Sequence, residues 1–185
     1  MPDGPTPLRG SYWVLPQQFL AGDYPGEVEH EVTARRLRRL RAFMAAGIPT
    51  FVDLTDEGEI SEDAKAIPPY RSILRQISEE DAVQTIYANI PIEDRGVPSP
   101  WTLHCILDVI GRSIVDENPV YVHCWAGRGR TGTVVGCYLK RHGLAQDGDV
   151  IQKLAHLRRD VPNARETSPH TQEQIRMVTS WKKGV

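Results

Sequence analysis

Residues 120–131 read Val120-Tyr121-Val122-His123-Cys124-Trp125-Ala126-Gly127-Arg128-Gly129-Arg130-Thr131, and this stretch constrains the chain more than any other. The apolar run after Asn118-Pro119 is a short buried strand in pattern. Gly127 and Gly129 then let the backbone turn tightly. From Arg130 to His142 the residues take a helical pattern that stops at Gly143. A strand feeding a helix through a glycine-rich turn is a building unit of α/β folds.

The rest of the chain repeats that alternation. Tyr12–Val14 and Phe19–Ala21 read as short strands separated by Pro16, 28–46 as a helix ending at Gly47, and Thr50–Leu54 as a buried strand. Residues 56–82 are polar, contain Pro68-Pro69, and carry little regular pattern. Thr85–Ile90 is a further strand that ends at Pro91. Ser99-Pro100 opens a helix to about Glu117, with serine as N-cap and proline at the first helical position. Asp147–Arg159 and Thr171–Lys182 are two more amphipathic helices. The expected fold is α/β: a central, mostly parallel sheet of four to five strands flanked by helices, with the loop of 123–131 between a strand and a helix. Residues 1–10 read as a flexible tail and 11–185 as one domain of ordinary size.

Composition narrows the function. The three cysteines are widely spaced with no Cys-x-x-Cys, which argues against a disulfide framework or zinc site and leaves room for a functional thiol. A net charge of −2 argues against a dedicated nucleic-acid binder, and the arginines between 35 and 41 fit a solvated helix face. No apolar run reaches membrane-helix length, and proline, glycine and aspartate fill the first ten residues where a signal peptide needs an apolar core. The expectation is a cytoplasmic protein without integral membrane association.

In the loop, Cys124 is the nucleophile candidate. Sulfur attacks well only as thiolate, and the positive end of a helix beginning near Arg130 favours that form. The glycines allow several N–H groups to face one anion. Arg130 offers a planar fork for two phosphate oxygens, which lysine could not do. The Thr131 hydroxyl can donate to the sulfur and help it leave. His123 fits a role within the loop that favours the thiolate.

Residues 123–131 match every fixed position of His-Cys-x-x-Gly-x-x-Arg-Ser/Thr, and here the chain resembles the cysteine-dependent protein tyrosine phosphatase superfamily, in its compact dual-specificity-like type. The resemblance implies a phosphocysteine at Cys124 and phosphate binding by Arg130, with Trp125, Ala126, Gly127, Arg128 and Gly129 lining the substrate. Pro91-Ile92-Glu93-Asp94-Arg95-Gly96-Val97-Pro98 is similar to the family's Pro-Ile-x-Asp-x-x-x-Pro segment, which makes Asp94 the general acid and then base. Residues 168–174 resemble the family's glutamine-bearing loop, although His170 stands where the first glutamine of Gln-Thr-x-x-Gln belongs. Gln174 is then the candidate for positioning the hydrolytic water. Sulfur transfer on a rhodanese-like loop would have no use for Asp94 or Thr131.

The expected substrates are phosphotyrosine proteins or peptides, with phosphoserine and phosphothreonine as further esters. Arg128, joined by Arg95, raises phosphoinositide or inositol-phosphate hydrolysis as the alternative, since lipid-directed relatives carry lysine at that loop position. No metal or cofactor is called for, because Arg130 and the backbone N–H groups supply the positive field. Asp53 and Asp56 read as turn formers, Cys105 and Cys137 as packing residues.

Overall fold

The structure is a computed structural model and describes residues 5–26, 33–60, 66–146 and 148–185. Its elements run β1 (Ser11–Leu15), β2 (Phe19–Gly22), α1 (Thr33–Ala45), β3 (Thr50–Asp53), α2 (Arg71–Glu80), β4 (Ile86–Asn89), α3 (Pro100–Val115), β5 (Val120–His123), α4 (Arg130–Arg141), α5 (Val150–Leu157) and α6 (Gln172–Ser180). The strands form a five-stranded sheet in the order β1-β2-β5-β3-β4. In this sheet β1–β2 is antiparallel, whereas β2–β5, β5–β3 and β3–β4 are parallel. This is the mostly parallel α/β sheet that the alternating pattern implies.

Strand alternation sorts the core into two layers. Phe19, Ala21, Val52, Val120 and Val122 face one buried cluster, which they share with α3, α4, α5 and α6. Leu20, Phe51 and Tyr121, one residue out of phase, face the other with Leu40 and Phe43 of α1 and Ile73, Leu74 and Ile77 of α2. Both faces of β2, β3 and β5 are therefore covered, which explains their continuous apolar character. Leu8, in the stretch expected to be a tail, belongs to the second cluster.

Two helix ends follow the sequence closely. Ser99 Oγ accepts the Thr102 N–H at 3.0 Å, with Pro100 in the first turn of α3. Gly47 adopts φ 74° after α1. The helix expected over 28–46 is seen from Thr33; residues 28–32 lie outside those described, as does Asp147 before α5.

The polar stretch 56–82 differs from its reading. It contains α2, ten residues long, directly after Pro68-Pro69. Its apolar stripe is only Ile73, Leu74 and Ile77 on a charged background, too sparse to stand out along the chain. Packing supplies the rest, since Tyr70 just before the helix is fully buried against Phe51.

Candidate active site

The site lies at the carboxyl ends of the parallel strands. In register, His123 of β5 sits between Gly22 of β2 and Asp53 of β3. Beyond it the chain leaves the sheet and wraps through 124–129 into α4. The carbonyls of this loop point away and are tied down. Trp125 O accepts from Tyr24 N at 2.9 Å and Ala126 O from Asn163 Nδ2 at 3.0 Å. Arg128 O accepts from Ser168 Oγ at 2.8 Å and Gly129 O from Thr133 N at 2.9 Å. A planar trans peptide directs each following N–H the opposite way, so Ala126, Gly127, Gly129 and Arg130 turn theirs inward. Among the described residues no side chain caps α4, whose first-turn N–H groups open on the same space.

Gly127 is required twice over. It has φ 63°, and a Cβ there would lie 2.4 Å from the Gly22 carbonyl carbon and 2.6 Å from Asp23 N. The loop thus packs directly on the end of β2.

Cys124 lies at the floor of a pocket of about 160 Å³, whose lining includes Glu59, Ile60, Asp94, Arg95, Trp125, Arg128, Arg130 and His170. Arg130, 2% exposed, is held from several sides. Its NH1 and NH2 donate to Glu59 Oε2 and Oε1 at 2.5 and 2.6 Å, and NH1 also reaches Ile92 O at 3.1 Å. NH2 lies 3.1 Å from Asp94 Oδ1. Burial works against the guanidinium charge. The Glu59 hydrogen bonds, with the negative charges of Cys124, Glu59 and Asp94, outweigh it and hold Arg130 above its ordinary value. Glu59 takes the NH1/NH2 edge and leaves the Nε edge without a protein acceptor among the described residues, where a phosphoryl oxygen can bind.

Arg130 also ties the Asp94 loop to the loop of Cys124. Asp94 sits on a turn closed by Gly96 N to Glu93 O at 2.9 Å, with its side chain 60% exposed. Arg95, next in that turn, has φ 60°, a conformation usually left to glycine or asparagine.

His123 is fully buried. Nδ1 lies 3.2 Å from Cys124 O and Nε2 lies 2.5 Å from the Tyr70 hydroxyl. Burial is the main cause that lowers its pKa, with Arg130 adding to it against the opposing pull of Asp53. The neutral ring fits one tautomer: Nδ1–H donates to the Cys124 carbonyl and Nε2 accepts from Tyr70. Thr131 is fully buried, and its hydroxyl makes only a long 3.5 Å approach to Gly22 O.

Arg128 lines the pocket but is already paired, through Nε to Thr167 O at 2.9 Å and through NH1 to Glu166. Trp125 packs on Tyr24 with ring centroids 5.6 Å apart. Gln174 lies outside the pocket lining, with its amide committed to backbone groups of His170, Thr171 and Gly96. Asp53 Oδ1 accepts from Thr55 N and Oγ1, and Asp56 Oδ1 from Glu57 N, as turn formers do. Cys137 is buried in α4 and Cys105 half-buried in α3.

Sequence reasoning missed Glu59, Tyr70, Asn163 and Glu166. Arg158 is buried below the loop and donates to Asn163 Oδ1 at 2.7 Å, which turns the Asn163 amide N–H toward Ala126 O. None of the four carries a local signal. Each is an ordinary polar or aromatic residue, recognisable only once the chain has folded.

On a sheet of this order, such a pocket places the chain among the compact, dual-specificity-like cysteine phosphatases. Residues 9–178 match the family model described as "Swiss Army Knife protein, DSP-PTPase phosphatase domain", and the chain belongs to that family. It is 29% identical over 167 residues to the mouse "Protein tyrosine phosphatase domain-containing protein 1", across 84% of this chain and 21% of that protein. It is 27% identical over 105 residues to the "Putative tyrosine phosphatase 067L" of invertebrate iridescent virus 3, across 55% of this chain and 38% of that one. The chain thus spans about a fifth of the mouse relative and under half of the viral one.

Solved structures share the fold. Kinase associated phosphatase superposes with a TM-score of 0.68 at 19% identity, covering 86% of this chain and 83% of that one. PTPMT1, solved in complex with PI(5)P, gives 0.65 at 16% identity, covering 93% and 94%. Among the described residues no helix is long and apolar enough to cross a membrane.

Proposed function

We propose that this phosphatase hydrolyses phosphotyrosine in protein or peptide substrates, with phosphoserine and phosphothreonine as further esters, through a phosphocysteine intermediate. The Cys124 thiolate attacks phosphorus, the P–O ester bond breaks, and Asp94 gives its proton to the departing oxygen. Water then attacks the phosphocysteine, its proton passes to Asp94, and the S–P bond breaks to return the thiolate. The Thr131 hydroxyl, held only by its long approach to Gly22 O, turns to donate to the leaving sulfur. Arg130 and the inward N–H groups carry the charge on the phosphoryl oxygens in both steps.

The observation that carries the phosphotyrosine reading is the pocket wall. At about 160 Å³ it suits a phosphoryl group with the group that bears it, and Trp125 and Ile60 offer apolar sides for a phenyl ring. Arg128, which would serve a second phosphate, is paired with Glu166. Phosphate release from phosphotyrosyl, phosphoseryl and phosphothreonyl peptides and from phosphoinositides is the test. The phosphotyrosyl peptide should be fastest, and Cys124→Ser should remove turnover. A Cys124→Ser protein as active as the parent would overturn the mechanism.

Phosphoinositide hydrolysis is the second reading, supported by Arg95 and Arg128 at the same pocket and by the fold shared with PTPMT1. On that reading phosphoinositides lead the panel. Arg128→Ala then slows polyphosphorylated substrates and spares phosphotyrosine.

A further inference from the structure

We propose that Gln174 is the latch that holds the Asp94 loop in its working position, acting on the acid and not on the hydrolytic water. The proposal rests on the reading of Asp94 as general acid.

Gln174 is fully buried at the third position of α6. Its Oε1 accepts from His170 N at 3.0 Å and Thr171 N at 3.1 Å. Two backbone donors on one head of the amide fix that head as the oxygen. Nε2 therefore faces the other way, where it donates to Gly96 O at 2.8 Å. The neighbouring Thr171 Oγ1 approaches Arg95 O at 3.5 Å, so the start of α6 addresses two consecutive carbonyls of the acid loop. On its other side Gln174 abuts the phosphate loop: a Cβ on Gly129 would sit 3.1 Å from Oε1. One side chain thus touches both loops that must meet for catalysis.

The acid loop needs such an anchor. Its turn puts a non-glycine residue, Arg95, at φ 60°, and a strained turn persists only where its surroundings hold it. Asp94 itself is largely solvent-exposed, so the hold comes from its Arg130 contact and from the backbone behind it. A water-positioning amide, by contrast, needs a polar head turned to the pocket. Oε1 is filled by two backbone donors, Nε2 spends one of its N–H groups on Gly96 O, and the residue is absent from the pocket lining.

Gln174→Glu separates these roles. Glutamate keeps an oxygen for the His170 and Thr171 N–H groups, since it also serves at this position of a capping box, but it turns a second oxygen on Gly96 O. Loss of a positioned acid matters most for esters whose leaving oxygen is basic, and a positioned acid contributes about 10²–10⁴-fold. For Gln174→Glu, kcat/KM on phenyl phosphate should fall about 10–100-fold, a part of that contribution. On 2,4-dinitrophenyl phosphate, which leaves unaided, it should fall less than about threefold on the same grounds. In an Asp94→Asn background Gln174→Glu should add no further leaving-group dependence.

Equal loss on both esters would overturn the latch. So would unchanged kcat/KM with a lower kcat and a burst of phenol, the signature of slow phosphocysteine breakdown. Asp94→Asn is the control for the underlying reading: if that variant has no leaving-group dependence, the acid assignment fails first. Should Gln174→Glu not fold, Gln174→Met, of similar length and without either polar head, must show the same split between esters or the latch is wrong.

Discussion

Two stretches meet at the phosphate pocket and are built in opposite ways. Residues 123–131 make their half of the site from consecutive residues, with glycine geometry aiming the N–H groups. Residues 53–70 supply single side chains, Glu59 to Arg130 and Tyr70 to His123, from a stretch whose own pattern announces nothing. The first half is local and repeats wherever the same residues follow one another. The second exists only because β3 and β5 are neighbours in the sheet. The sulfur and the inward N–H groups come from the local half, and the hold on Arg130 and His123 from the distant one.

The hardest test of the local half is Gly127→Ala. A Cβ would strike the end of β2 at a positive φ, so the loop must move and several inward N–H groups lose their aim. Losing one such donor typically costs about 10²–10³-fold, and we expect a loss of about 10³-fold or more in kcat/KM. Denaturant unfolding should show about 3 kcal/mol less stability from the overpacking. Near-normal turnover would mean that the loop does not depend on its glycine geometry.

Glu59→Gln tests the distant half. It keeps the shape of the side chain but neutralises the carboxylate that is only 10% exposed, leaving the buried Arg130 with the largely exposed Asp94. Breaking a buried pair in this way usually costs about 3 kcal/mol of stability. Misplacing the guanidinium should lower kcat/KM about 10²-fold. If only stability falls, residues 53–60 pack against the site without orienting it.

The smallest effect is on pH. His123 has a folded pKa below its unfolded value because it is buried, and His142 is shifted the same way by burial. Below an unfolded histidine pKa of about 6.5 the unfolded chain takes up the protons first, so stability is full above that pH and lost as pH falls through it. Each such histidine contributes at most about 1.4 kcal/mol per pH unit. Asp23, whose pKa burial raises, acts in the opposite sense at more acidic pH. Unfolding midpoints between pH 5 and 8 should decline on the acid side, and His123→Asn should flatten that slope. An unchanged slope would mean that His123 is not the neutral, Tyr70-bonded ring.

These differences set what was legible. The strand, the turn and the helix around Cys124 follow from periodicity and glycine, and the Ser99-Pro100 helix start from its cap. Asp94 was found because the segment around it resembles a known family, not from any chemistry of its own. Helix α2 escaped because its three apolar residues lie in a charged background and its stability comes from the sheet beneath it. Gln174 was legible as a candidate, while the heads of its amide were not, since their partners include a carbonyl 78 positions earlier.

The sequence by itself determined a cysteine in a glycine-rich loop closed by an arginine, and the mostly parallel sheet that carries it. Both follow from short-range rules: side-chain period, φ freedom, and the fixed reach between residues 124 and 130. Tertiary structure alone decided which carboxylate grips Arg130, which phenol sets the tautomer of His123, and that Arg128 is already paired. Those choices depend on strand order and on segments brought together from 38 to 71 positions apart. Contact across a fold is set by the sum of all its packing, and no short stretch of sequence encodes it.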